Sequence, residues 1–148
     1  MTIQTGDSAP DFDLPDHDGA SFRLSDHRGQ RLLLVFYPGD DTPVCTAQLR
    51  DYREGLATFA GLGVEVIGIS PDDPDSHRAF RQKHDLPFRL LSDTKLEVAR
   101  KYGCKALIGM KRGVFLLDED HRVRYQHVES LAVFRRRREE LIEAIRQL

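Results

Sequence analysis

The stretch "LLLVFYPGDDTPVCTAQLRDY", residues 32–52, opens as an apolar run, breaks at Pro38-Gly39-Asp40-Asp41 and resumes with helical spacing and a cysteine in the first turn. The apolar half, from Arg31 to Phe36, has the length and branching of a buried strand. In the second half Cys45, Leu49, Tyr52, Leu56 and Phe59 recur at alternating spacings of four and three, which predicts one helix from Val44 to Ala60 with that face buried. Thr42 suits the N-cap and Pro43 the first helical position, where a missing N–H costs nothing. Cys45 is then the third helical residue, and its backbone N–H is among the donors without an intrahelical partner. The positive end of the helix dipole favours a thiolate there, and the thiolate is the nucleophile of thiol chemistry. A cysteine packed as a small apolar side chain suits the same position. The Thr42 hydroxyl separates the two readings: capping the N–H groups of Val44 or Cys45 uses them up, whereas facing the sulfur instead leaves them free for a ligand.

Outward from this stretch, further extended runs are read at Val64 to Ser70, Gly113 to Asp118 and His121 to His127, and further helices at Pro74 to His84, Thr94 to Tyr102 and Leu131 to Leu148. Strand–helix–strand order in the first two thirds implies parallel pairing, and "GVFLLDEDHRVRYQ" reads as a hairpin turning at Asp118-Glu119-Asp120. The expected architecture is α/β, a mixed central sheet flanked by helices. With no linker, repeat or low-complexity segment, residues 1–148 are read as a single domain.

Composition limits the chemistry. A chain of 148 residues can bury a core without disulfide staples, and two cysteines are too few for a disulfide framework. No leader-like segment precedes the first strand signals, so a reducing, cytoplasmic setting is the expectation. No apolar run reaches membrane-spanning length, and a formal charge of −2 offers no footprint for nucleic acid. His17, His27, His77, His84, His121 and His127 show no metal-ligand spacing, so neither a metal nor a cofactor is expected. Arg135 to Arg138 read as the solvated start of the last helix, although four arginines there oppose the dipole at a cost the sequence leaves unexplained.

Pro38, Thr42 and Cys45 form a Pro-xxx-Thr-xx-Cys pattern at the strand-to-helix turn, and this resembles the peroxiredoxins, thiol peroxidases with a thioredoxin-like fold. "GDSAPDFDLPDHDGASFRLSDHRG", "VEVIGISPDDPDSHRAFRQKHDLPFRLLSDTKLEVARKYG" and "KRGVFLLDEDHRVRY" extend the likeness along nearly the whole chain. The pattern is most similar to the bacterioferritin comigratory protein branch, also called PrxQ. The resemblance implies reduction of hydrogen peroxide and organic hydroperoxides by Cys45 through a sulfenic acid. It also implies an active-site arginine at Arg112, a shielding Pro38, and donors for the peroxide oxygens from Thr42, Arg112 and the N–H groups of Val44 and Cys45. The reductant is expected to be a thioredoxin, a glutaredoxin or a low-molecular-weight thiol, and the protein a monomer or homodimer. A redox relay that passes oxidation from Cys45 to a partner protein is the alternative.

Several positions depart from the branch. Asp40 and Asp41 add acidic charge near the thiolate, Gly39 stands where a lysine is frequent, and Gln48 replaces a frequent glutamate, giving a neutral bond to Arg112. Much of the branch carries its resolving thiol five residues after the first cysteine, where this chain has Arg50. Cys104 is the remaining candidate, but it matches no resolving position of the branch. The reading is therefore a one-cysteine mechanism, with Cys104 packed.

Overall fold

The structure, a computed structural model, describes residues 3–129 and 135–148. A short hairpin of β1 (Asp13–Pro15) and β2 (Ser21–Arg23) leads through a 3-10 turn, Leu24–His27, into β3 (Arg31–Phe36). There follow α1 (Pro43–Glu54), α2 (Leu56–Gly61), β4 (Val64–Ser70), α3 (Pro74–His84), β5 (Arg89–Ser92) and α4 (Glu97–Lys101). The chain ends with β6 (Gly113–Leu117), β7 (Val123–Val128) and α5 (Arg138–Arg146). The main sheet runs β5-β4-β3-β6-β7; β3, β4 and β5 pair in parallel, while β6 is antiparallel to both β3 and β7. This is the expected mixed sheet, with the 118–120 turn closing the late hairpin.

The continuous apolar run of β3 follows from its central place, which buries it on both faces. Leu32, Leu34 and Phe36 face one core, with Phe22 of the hairpin, Val98 and Ala99 of α4, and Phe115. Leu33, Val35 and Tyr37 face the other, with Leu49 and Tyr52 of α1, Phe59, Phe80 of α3, and Leu141 and Ile145 of α5. Cys104 belongs to the first core and Cys45 to the second.

Three helix boundaries differ from expectation, and β7 starts at Val123 rather than His121, whose left-handed conformation belongs to the turn. The helix after Cys45 breaks at Gly55, where an added Cβ would lie 3.2 Å from the Arg138 Cδ; the missing side chain lets the C-terminal segment approach. The break turns Leu56 out of the stripe, leaving it 38% exposed while Leu49, Tyr52 and Phe59 are fully buried. α4 starts only after Leu96, which adopts a left-handed conformation, and the Asp93 carboxylate caps the N–H groups of Val98 and Ala99. Residues 131–134 of the last expected helix lie outside the described residues, and Arg137 is extended, so α5 begins at Arg138. The strands β1, β2 and β5, of three or four residues each, are too short to display a periodicity.

Candidate active site

The loop between β3 and α1 lies at the carboxyl end of the parallel strands, where open α/β sheets place their ligand sites. Thr42 is the N-cap residue of α1 and Pro43 its first residue, so Cys45 occupies the third helical position as expected. The Thr42 side chain caps no backbone N–H; its hydroxyl donates instead to the Gly39 carbonyl at 3.1 Å. The first N–H groups of α1 are therefore not consumed by that side chain, but the hydroxyl turns to Gly39 rather than to the sulfur, so it takes neither of the two expected orientations. With its hydrogen given to Gly39, the Thr42 oxygen presents lone pairs rather than a donor.

The Cys45 sulfur is fully buried, and Arg112, just before β6 and only 2% exposed, donates from Nη1 to it at 3.2 Å. The same nitrogen donates to Gln48 Oε1 at 2.7 Å. A guanidinium cannot lose its charge at any physiological pH, so permanent positive charge stands against the sulfur that must be an anion to react. Beside the pair a cavity of roughly 390 Å³ is lined by Pro38, Ile108, Met110, Lys111 and Arg112, with Leu107 and Ile108 exposed nearby. The four residues Pro38, Thr42, Cys45 and Arg112 thus converge on the same end of the sheet.

The acidic pair of the loop does not act as expected. The Asp40 carboxylate turns away toward α3, where it accepts from the Tyr37 hydroxyl at 2.6 Å and from Ser76 at 2.8 Å and pairs with buried His77 at 2.8 Å. Burial, reinforced by Asp40, raises Tyr37 well above the ordinary tyrosine value, which keeps that donor protonated. Asp41 adopts a left-handed conformation and pairs with Lys83 at 2.7 Å and His84 at 2.9 Å; these contacts lower its carboxyl below the usual range. Both acids are spent tethering the loop to α3. Ser76 and His77 are invisible as site residues in the sequence, because nothing in their spacing couples them to a loop some 36 residues away. Among the described residues, no group of three or more His, Cys, Asp or Glu is arranged to hold a metal ion.

Cys104 is equally buried but lies across β6. Arg112 reaches Cys45 on one face; the next residue, Gly113, is so close to Cys104 that an added Cβ would sit 2.7 Å from its sulfur. The Cys104 thiol is pushed up to about 12 by burial, which outweighs the opposing charge of Lys111.

Comparison with known proteins decides the family. The AhpC/TSA family pattern matches residues 5–126. The chain belongs to that family. It is 38% identical over 131 residues to peroxiredoxin Bcp of Bacillus subtilis strain 168, covering 83% of each chain. It is 41% identical over 126 residues to the chloroplastic peroxiredoxin Q of Oryza sativa subsp. japonica, covering 83% of this chain and 58% of that protein. The crystal structure of peroxidoxin BcpB from Mycobacterium tuberculosis superposes with a TM-score of 0.88 at 28% identity, covering 99% of this chain and 98% of the other. The fold is thioredoxin-like, and this peroxiredoxin is a thiol-dependent peroxidase. No helix among the described residues is long and apolar enough to cross a membrane.

Proposed function

We propose that Cys45 is the peroxidatic nucleophile and that the enzyme works with this one cysteine. The Cys45 thiolate attacks one oxygen of hydrogen peroxide or an organic hydroperoxide; the S–O bond forms as the O–O bond breaks, sulfur loses two electrons, and the leaving alkoxide or hydroxide takes from solvent the proton that the thiol released on ionising. Charge develops on the leaving oxygen, so donors aimed at it lower the barrier. Arg112 and the N–H groups of Val44 and Cys45 supply them. Thr42 holds the attacked hydroxyl by accepting its hydrogen, and Pro38 shields the site from bulk water.

The observation that carries the reading is the Arg112 Nη1 donor 3.2 Å from the buried Cys45 sulfur at the start of α1. Sulfenic Cys45 then condenses with an external thiol, releasing water and forming a mixed disulfide, and a second thiol frees Cys45 as the reductant is oxidised. Cys104 is a poor resolving group on two grounds: it lies in the opposite core, and its thiol stays protonated. A thioredoxin, a glutaredoxin or a low-molecular-weight thiol in the cytoplasm fits this step. Mass spectrometry after one equivalent of peroxide tests the scheme. A dimedone-reactive sulfenic acid on Cys45 is the expected product, and a dominant intramolecular disulfide overturns it.

A further inference from the structure

The arginine run that has no role in the sequence reading meets the active site through α1. Asp51 accepts the backbone N–H of Arg138 at 3.0 Å and the Arg135 guanidinium at 3.2 Å, so a carboxylate from α1 sits at the start of α5. Arg136 is paired with Glu140 at 2.6 Å. These carboxylates offset part of the dipole cost that the run posed. They also seat the backbone carbonyl of Arg136 over the neighbouring residue, Tyr52, whose hydroxyl donates to it at 2.5 Å.

From Tyr52 a single chain of hydrogen bonds leads to the sulfur. Gln48 Nε2 donates to the Tyr52 oxygen at 3.0 Å, Gln48 Oε1 accepts from Arg112 Nη1 at 2.7 Å, and that nitrogen donates to Cys45 at 3.2 Å. Gln48 and Tyr52 are both fully buried. A glutamine amide is nearly the same shape either way round, so packing alone does not choose which end faces the guanidinium. Hydrogen counting does. A phenol has one hydrogen, and Tyr52 gives its own to the Arg136 carbonyl; toward Gln48 it can only accept. Burial raises Tyr52 above the ordinary value and keeps that hydrogen in place.

We infer that Tyr52 is a positioning residue: anchored by the Arg136 carbonyl, it orients the Gln48 amide so that its oxygen faces Arg112 and holds the guanidinium on the Cys45 sulfur. The reversed amide sets N–H donors against N–H donors and leaves Arg112 without that acceptor. A carboxylate at position 48 presents oxygen in both orientations and needs no such instruction; the glutamine does. The inference rests on the roles proposed above for Cys45 and Arg112.

The test is Tyr52→Phe made in two backgrounds, the parent and Gln48→Glu, with Cys45 oxidation by hydrogen peroxide followed by rapid-quench mass spectrometry. In the parent, the Gln48 amide loses the acceptor that holds its Nε2 and slackens against Arg112, which slows oxidation by at least about fivefold, the scale of one lost buried hydrogen bond. In the Gln48→Glu background the same change has no such effect. Equal slowing in both backgrounds assigns Tyr52 a purely structural role and overturns the inference, as does no slowing in the parent. Should Tyr52→Phe fail to fold, nuclear Overhauser contacts decide in the unaltered protein: the Gln48 amide protons are expected beside the Tyr52 ring, and finding them beside Arg112 overturns it. Failure of the underlying roles is a different result, an Arg112→Met variant that reacts at the parent rate.

Discussion

Cys45 and Cys104 are equally buried and flank the same strand, yet only one has a charged partner. Cys45 lies in the first turn of a helix and receives an arginine N–H; Cys104 belongs to the apolar core that holds Phe36, Tyr102, Met110 and Phe115, and its thiol donates to the Tyr102 carbonyl at 3.9 Å. Apolar burial pushes the Cys104 thiol up to about 12 against the opposing charge of Lys111, and a thiol held protonated is a weak nucleophile. Burial is common to both cysteines and does not set them apart. The helix start and the guanidinium that comes in from β6 are the difference, and they exist on one face of the sheet only.

The most severe break of this comparison is Cys45→Ser, which removes the proposed nucleophile at nearly constant volume. Peroxide consumption is expected to vanish while the circular dichroism spectrum is unchanged, and substantial residual turnover in a peroxide assay contradicts the assignment. Next is Arg112→Met, which strips the charge and leaves a side chain of similar length. Oxidation of Cys45 should slow by at least about tenfold, because a charge-assisted hydrogen bond that strengthens in the transition state is commonly worth about 1.4 kcal/mol or more. A variant that reacts at the parent rate would make the 3.2 Å approach of Arg112 to the sulfur incidental.

The apolar side of the comparison has a pH signature. The Cys104 thiol is raised from an ordinary value of 9.0 to about 12, so the folded state holds this proton more tightly than the unfolded chain. Its contribution to stability is whole below pH 9.0 and is lost as pH rises toward about 12. Through that window the unfolding free energy should fall by about 1.4 kcal/mol per pH unit on account of this group. Tyr52 and Tyr102 add their own losses at high pH, so the measurement is a difference: urea unfolding of the parent and of Cys104→Ala at a series of alkaline pH values. Parallel curves for the two proteins would mean that Cys104 is not held protonated by the core.

Much of this arrangement is legible in the sequence because it is local. Thr42, Pro43 and Cys45 declare their helix start within a few residues, and β3 declares its central place by being apolar without alternation. Arg112 is reached through the family likeness rather than through spacing. What stays hidden depends on contacts between distant segments. In the sequence Asp40 and Asp41 are a burden on the thiolate; in the fold α3 supplies His77, Lys83 and His84 to hold them. Tyr52 reads as one more residue of a buried stripe, since helical periodicity reports that a face is covered and says nothing about where a hydroxyl points. The arginine run reads as solvated because Asp51, its partner, lies some 84 residues earlier.

The mildest perturbation is Cys104→Ser, and its value lies in what should not change. A two-cysteine mechanism requires this thiol to reach the Cys45 sulfenic acid, and a disulfide needs the two Cα atoms within about 7 Å. Strand β6 stands between them, with Arg112 directed to one cysteine and Gly113 pressed against the other. The thiol is also protonated at neutral pH, so even a fluctuation that opened the start of α1 would bring up a weak nucleophile. Turnover with an external thiol should therefore match the parent, and peroxide should leave the parent protein without a Cys45–Cys104 bridge. Non-reducing peptide mapping of the oxidised protein reads this directly. A dominant linked peptide, together with a loss of turnover in Cys104→Ser, would mean that the sheet opens during catalysis and that the two cysteines form one redox pair after all.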